Sequence, residues 1–177
     1  PHMPFKAVLM AILISPMIVP LIITAAGMFF FYSKIGLTHT YLGLILAHTA
    51  LGTPFVVITV TATLTGFDTN LIRASQSLGA DTMRTFFKVI MPLILPGVIS
   101  GGLFAFITSF DEVVIVMFVG SVEQITIPKQ MWAGLRQETS PVILCMATCL
   151  VALSIALLTT VEMLRRRSER LRGIKQR

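Results

Sequence analysis

The sequence predicts an all-α, polytopic transmembrane helical bundle, and three observations carry that assignment. Of its 177 residues, 55% are hydrophobic and 12% charged, against about 25% charged in an ordinary soluble domain. Four apolar runs, 7–32, 41–64, 93–119 and 142–164, each reach the roughly 20 residues that an α-helix needs to cross a bilayer. Backbone groups in lipid must also be satisfied within the spanning element, so runs of this length are read as helices. A single transmembrane domain over 1–177 follows, with no room for a separate soluble one.

The first run holds Pro16 and Pro20, which are expected to kink it. Lys34, Gly36 and His39 then make a short turn. The second run contains Pro54 and "VVITVTATLT", whose alternation would read as a strand in a soluble protein. Length and the absence of open sheet edges in lipid make it helical instead. Thr59 and Thr63 then share a face, where their hydroxyls bond back to the backbone or to a neighbouring helix. The third run opens with Pro96, Gly97, Gly101 and Gly102 and carries "SFDEVV" towards its far end. The polar stretch after it contains Met131, Trp132 and Leu135, a pattern for a short interfacial helix with Trp at headgroup depth. Tyr32 and Tyr41 are read as belt residues of the same kind. The fourth run leads into a basic tail, 165–177.

The formal charge of +6 is concentrated. Seven of the fourteen Lys and Arg are Arg165, Arg166, Arg167, Arg170, Arg172, Lys175 and Arg177. A basic cluster directly after an apolar run reads as a cytoplasmic anchor attracted to anionic lipid. No aromatic platform is interleaved with it, so nucleic acid is not an expected partner. With the tail inside, alternate crossings put 120–141 outside, 66–91 inside, 34–40 outside and the N-terminal end inside. Cys145 and Cys149 lie in an apolar run without further metal ligands nearby and are read as small hydrophobes. The opening "PHMPFKAVLM" has neither an initiator Met in first place nor a signal-peptide pattern. A piece of a longer chain is the expectation.

The exceptional stretch is 66–91. Asp68 is placed to cap a helix on which Leu71, Ala74 and Leu78 form one stripe, and Gly79 is a natural left-handed end for it. Asp81 is placed to cap a second helix, with Met83, Phe86, Phe87 and Ile90 apolar and Arg84 and Lys88 one turn apart. Pro92 is expected to end it. Two short helices joined at a glycine make either an amphipathic linker on the inner leaflet or a knob for another protein to grip.

These residues resemble the cytoplasmic loop of ABC importer permeases. There a Glu-Ala-Ala triplet is followed by Gly and, some ten residues on, by an Ile-x-Leu-Pro ending. Here Arg73-Ala74-Ser75, Gly79-Ala80 and Ile90-Met91-Pro92 hold those places. Arg73 stands where the pattern has Glu, and Ser75 where it has the second Ala. "TSFDEVVIVMF", at 108–118, resembles the permeases of the polyamine importer family. The resemblance implies about four of six spans of a type I importer permease subunit in a bacterial inner membrane. It implies a coupling loop in which Arg73, Ala74, Ser75, Leu78, Gly79, Ala80, Phe86, Ile90 and Pro92 meet a separate cytoplasmic ATPase. A second permease subunit, more in keeping with a heterodimer than a homodimer, and an extracytoplasmic solute-binding protein complete the implied assembly. The sequence has no G-x-x-x-x-G-K-[ST] phosphate loop, so ATP-Mg is assigned to the partner, no cofactor to this chain, and no enzymatic chemistry to it either.

Within the third run, Asp111 and Glu112 are the intramembrane acids. A carboxylate costs on the order of 2.5–3.5 kcal/mol at the bilayer centre, so these must face protein, water or a cation. They are read either as a structural pair satisfied by Thr108 and Ser109 or as a carboxylate in the path of a cationic solute, with Asp111 as the path-facing member. His48 is read as a buried hydrogen-bonding residue rather than a ligand. The alternative function is a standalone proton-coupled transporter relaying protons through Asp111, Glu112 and His48.

Overall fold

A computed structural model describes residues 5–137 and 141–171, and every regular element among them is helical. In chain order these are α1 (Lys6–Ile18), α2 (Leu21–Ile35), α3 (Tyr41–Thr65), α4 (Asn70–Ser77), α5 (Thr82–Thr85), a π turn (Phe86–Ile90), α6 (Met91–Phe110), α7 (Val114–Val119), α8 (Ile127–Gln137) and α9 (Pro141–Leu171). Among the described residues, three helical stretches are long and apolar enough to cross a membrane, or four if the bent pair α1 and α2 is one span. Of the basic tail, residues 165–171 continue α9, and Arg172, Lys175 and Arg177 lie outside the described residues.

The first apolar run bends far more sharply than the expected kink. α1 and α2 meet at 110°. Pro16 stays inside α1, where the carbonyl it leaves unpaired, that of Ile12, accepts from the Ser15 hydroxyl at 2.8 Å. The break falls at Val19, whose ψ of 135° is the extended conformation imposed by the following Pro20. α2 then packs on α7, and Ala25, Tyr32, Ala47, Leu51, Ile115 and Val119 form the buried cluster there. Tyr32 is therefore a core residue, not a belt residue, because it packs in the cluster that holds Ile115 and Val119 of α7. Tyr41 and Trp132 are exposed, as a belt requires.

The main packing of the bundle is α3 against α6, antiparallel and very close. A Cβ on Gly97 would collide with Thr63 Oγ1, and one on Gly101 with Thr59 Oγ1 and, at 2.7 Å, with Val56 Cα. A Cβ on Gly52 would stand 2.9 Å from Ala105 Cβ. The threonines satisfy their hydroxyls on their own helix: Thr59 donates to Phe55 O at 2.9 Å and Thr63 to Thr59 O at 2.9 Å. The hydroxyls can thus lie against the glycines without an unsatisfied polar group.

Pro92 does not end the helix that begins at Thr82. The chain runs as one helical stretch from Thr82 to Phe110, 29 residues. The π turn just before the proline explains this: Met91 N donates five residues back to Phe86 O, and the widened turn accommodates a ring that a regular α turn would reject. The third run, conversely, is interrupted. α6 stops at Phe110, and α7 starts only at Val114.

Candidate functional site: a two-helix knob and a broken span

The knob lies at the end of the α3–α6 pair, which we call the loop end. α4 terminates in a Schellman turn. Ala80 N donates to Ser75 O at 3.1 Å and Gly79 N to Gln76 O at 2.9 Å, with Gly79 at φ +80°. That left-handed φ is what glycine supplies without a Cβ penalty. Asp81 caps α5, its Oδ1 accepting from Arg84 N at 2.7 Å, and Asp68 Oδ1 accepts from Asn70 N at 2.9 Å at the start of α4. The Asp81 expectation therefore holds, whereas the cap position of α4 is Thr69 and Asp68 reaches the helix start from one residue before it. The stripe of Leu71, Ala74 and Leu78 faces outward, with Leu78 88% exposed, and Met83 and Phe87 are exposed on the second helix. Arg73 and Gly79 are exposed as well, whereas Ser75, Ala80, Phe86, Ile90 and Pro92 are half-buried. The structure thus gathers all nine loop residues into one body with an apolar, cation-flanked face.

One residue of this body escaped the sequence reading. Thr85 is 2% exposed, and its hydroxyl lies 3.0 Å from that of Ser75. Nothing in the local pattern of a polar Thr beside Arg84 marks it as buried.

At the far end, Asp111 and Glu112 separate. Asp111 closes α6, its N–H donating to Ile107 O at 3.2 Å, and its side chain is exposed. Glu112 is 7% exposed, and its Oε1 accepts from Ile115 N at 2.9 Å, capping the first turn of α7. The two acids do not sit on a regular helix as expected, because one carboxylate serves as the cap that restarts it. His48 on α3 reaches Ser109 on α6, Nδ1 to Oγ at 2.8 Å, so it is hydrogen-bonded as expected, but half-buried and between two helices.

A cavity of about 960 Å³ opens beside this pair, walled mostly by apolar side chains of α3 and α6 and by the 123–128 segment. His48, Ser109, Glu123 and Gln124 are among its polar lining; neither Asp111 nor Glu112 is. The segment is held by reciprocal bonds, Ser121 N to Gln124 Oε1 at 2.8 Å and Gln124 N to Ser121 Oγ at 3.2 Å. Lys129 Nζ donates to Ser121 O at 3.0 Å and Gln124 O at 3.2 Å. Ser-x-x-Gln spacing was a legible signal for this hook. His39 ties the opposite turn to it, its N–H donating to Val119 O at 2.8 Å and its Nδ1 lying 3.1 Å from Gly120 O.

Comparison with known proteins fits this architecture. The chain is 31% identical over 152 residues to the spermidine/putrescine transport system permease protein PotC of Haemophilus influenzae, covering 86% of this chain and 59% of that one. It is 29% identical to the putrescine transport system permease protein PotI of Escherichia coli K12, covering 77% of this chain and 51% of that one. The chain thus spans little more than half the length of these curated relatives. The fold is also that of a chain in the inward-facing MetNI methionine ABC transporter, with a TM-score of 0.67 at 23% identity, covering 96% of this chain and 74% of that one. The family model for the binding-protein-dependent transport system inner membrane component matches residues 2–170. A helical bundle with a glycine-turned knob at one end, matched along nearly its whole length, belongs to that family of inner membrane transport components.

Proposed function

We propose that this chain forms part of the translocation path of an ATP-driven importer for a polyamine or similar small cation, and that the knob of α4 and α5 receives a separate ATPase. The observation that carries this reading is continuity: the knob's second helix and the span α6 are one unbroken helix, so a push on the knob reaches the membrane. Exposed Leu71, Leu78, Met83 and Phe87 offer a docking face, and the adjoining Arg73, Arg84 and Lys88 support a cytoplasmic side for it by the positive-inside rule. The tail after α9 is cytoplasmic on the same grounds. ATP-Mg is bound by the ATPase and not by this chain; a second, non-identical permease and an external solute-binding protein complete the assembly. The cationic solute is supported by the names of PotC and PotI and by the exposed Asp111 at the helix break.

Copurification from a membrane extract tests the reading. The parent chain is expected to bring down a soluble ATPase, whereas Gly79→Pro and Ala80→Glu are expected to lose it while inserting normally. Proline cannot adopt φ +80° and removes the N–H that closes the turn. Retention of the ATPase by both variants would refute the docking site. Uptake that survives ATP depletion at a constant proton gradient would favour the proton-coupled transporter.

A further inference from the structure

Ser75 is bonded twice. Its carbonyl accepts from Ala80 N, closing the turn at Gly79, and its hydroxyl meets that of Thr85 ten residues on. Thr85 is the last residue of α5, immediately before the π turn that leads into α6. α4 packs chiefly along α5 and that turn. Its other attachment, the 66–69 link to α3, is short and mostly exposed. Without a side-chain tie, a displacement of α4 would be absorbed by torsion at Gly79, the residue with the most backbone freedom. With the tie, the turn and the hydroxyl pair fix α4 to the helix at two points, which makes a rigid triangle. The Glu-Ala-Ala pattern that 73–75 resembles would put a methyl at position 75, which has nothing to offer a buried hydroxyl.

We propose that the Ser75–Thr85 hydrogen bond is the joint that makes α4, α5 and α6 move as one body. Ser75 and Thr85 are then positioning residues for coupling between the ATPase and the span, an inference that rests on the importer reading above. The joint is set back from the exposed side chains of Leu71, Leu78, Met83 and Phe87, with Thr85 buried and Ser75 half-buried.

The test uses the assembled complex in lipid vesicles, with Cys145 and Cys149 replaced by Ser and spin labels at Gln76→Cys on α4 and Phe104→Cys on α6. In the parent, the distance between labels should be the same without nucleotide and with ATP trapped. In Ser75→Ala and Thr85→Val it should shift between the two states, and Thr85→Ser should restore constancy. Putrescine uptake per ATP hydrolysed, measured in parallel, should fall about threefold to tenfold in each single variant, the worth of one neutral hydrogen bond. The double variant should be no worse than the poorer single one, since only one bond is there to lose. A constant distance in Ser75→Ala, a changing distance in the parent, or additive losses in the double variant would overturn the joint while leaving the importer reading standing. Failure of the parent chain to assemble with any ATPase would overturn that reading, and the joint with it.

Discussion

The α3–α6 pair and α9 are equally fit for lipid by composition, yet they behave in opposite ways. α3 and α6 approach until glycines touch threonine side chains and the opposing backbone. The apolar part of α9, Pro141–Thr160, buries none of its most hydrophobic window against the rest of the chain, and Val142, Leu144, Val151 and Ile155 are exposed. Lipid tails are as apolar as Leu, so hydrophobicity inserts a helix without choosing its neighbour. The choice is made by small residues, which allow close van der Waals contact. The difference separates what this chain specifies by itself from what it leaves to lipid or to another subunit.

Substitution at the tightest contact should break the contrast most. Gly101→Leu would drive a side chain into Val56 Cα and the Thr59 hydroxyl, and backbone cannot yield as a flexible side chain does. An apparent melting temperature lower by about 5–10 °C in detergent is expected, as for overpacking of a core. A change within error would mean that the pair is looser than these contacts imply. The break at the far end of α6 sharpens the contrast next. Asp111→Asn is expected to lower putrescine uptake at least about tenfold, or roughly 1.4 kcal/mol in the transport barrier, with assembly and melting unchanged. Glu112→Gln keeps an oxygen for Ile115 N and should leave uptake within about twofold, the low end of one hydrogen bond's worth. The reverse pattern would put Glu112, not Asp111, in the solute's path. The smallest effect belongs to α9: Ile155→Ala should move the melting temperature by no more than about 1–2 °C, as exposed substitutions do.

The knob was the most legible part of the fold. Asp68, Asp81 and Gly79 act through backbone groups within three residues of themselves, so their roles can be read from short spacing. The shared face of Thr59 and Thr63 was legible for the same reason. The breaks were not. Pro16 and Pro20 look alike in sequence, but only Pro16 has a serine placed to take up the carbonyl it orphans. The run 93–119 is continuous in hydropathy, and the helix restarts after its interruption with Glu112 reaching forward to accept from Ile115 N. Pro92 looked like a stop because the π turn that accommodates it leaves no mark in the pattern of apolar residues. The cavity walls came together only through tertiary contacts between α3, α6 and the hook.

That π turn also fixes an azimuth. A π turn carries about one more residue than an α turn, and each residue of a helix turns the chain by roughly 100°. The compass bearing of Met83 and Phe87 about the axis of α6, relative to the Gly97–Gly101 seam, therefore depends on that one inserted residue. Removing a single residue from Phe86–Ile90 would leave every span intact and swing Met83 about a quarter of the way round the helix, off the bearing on which the proposed ATPase contact depends.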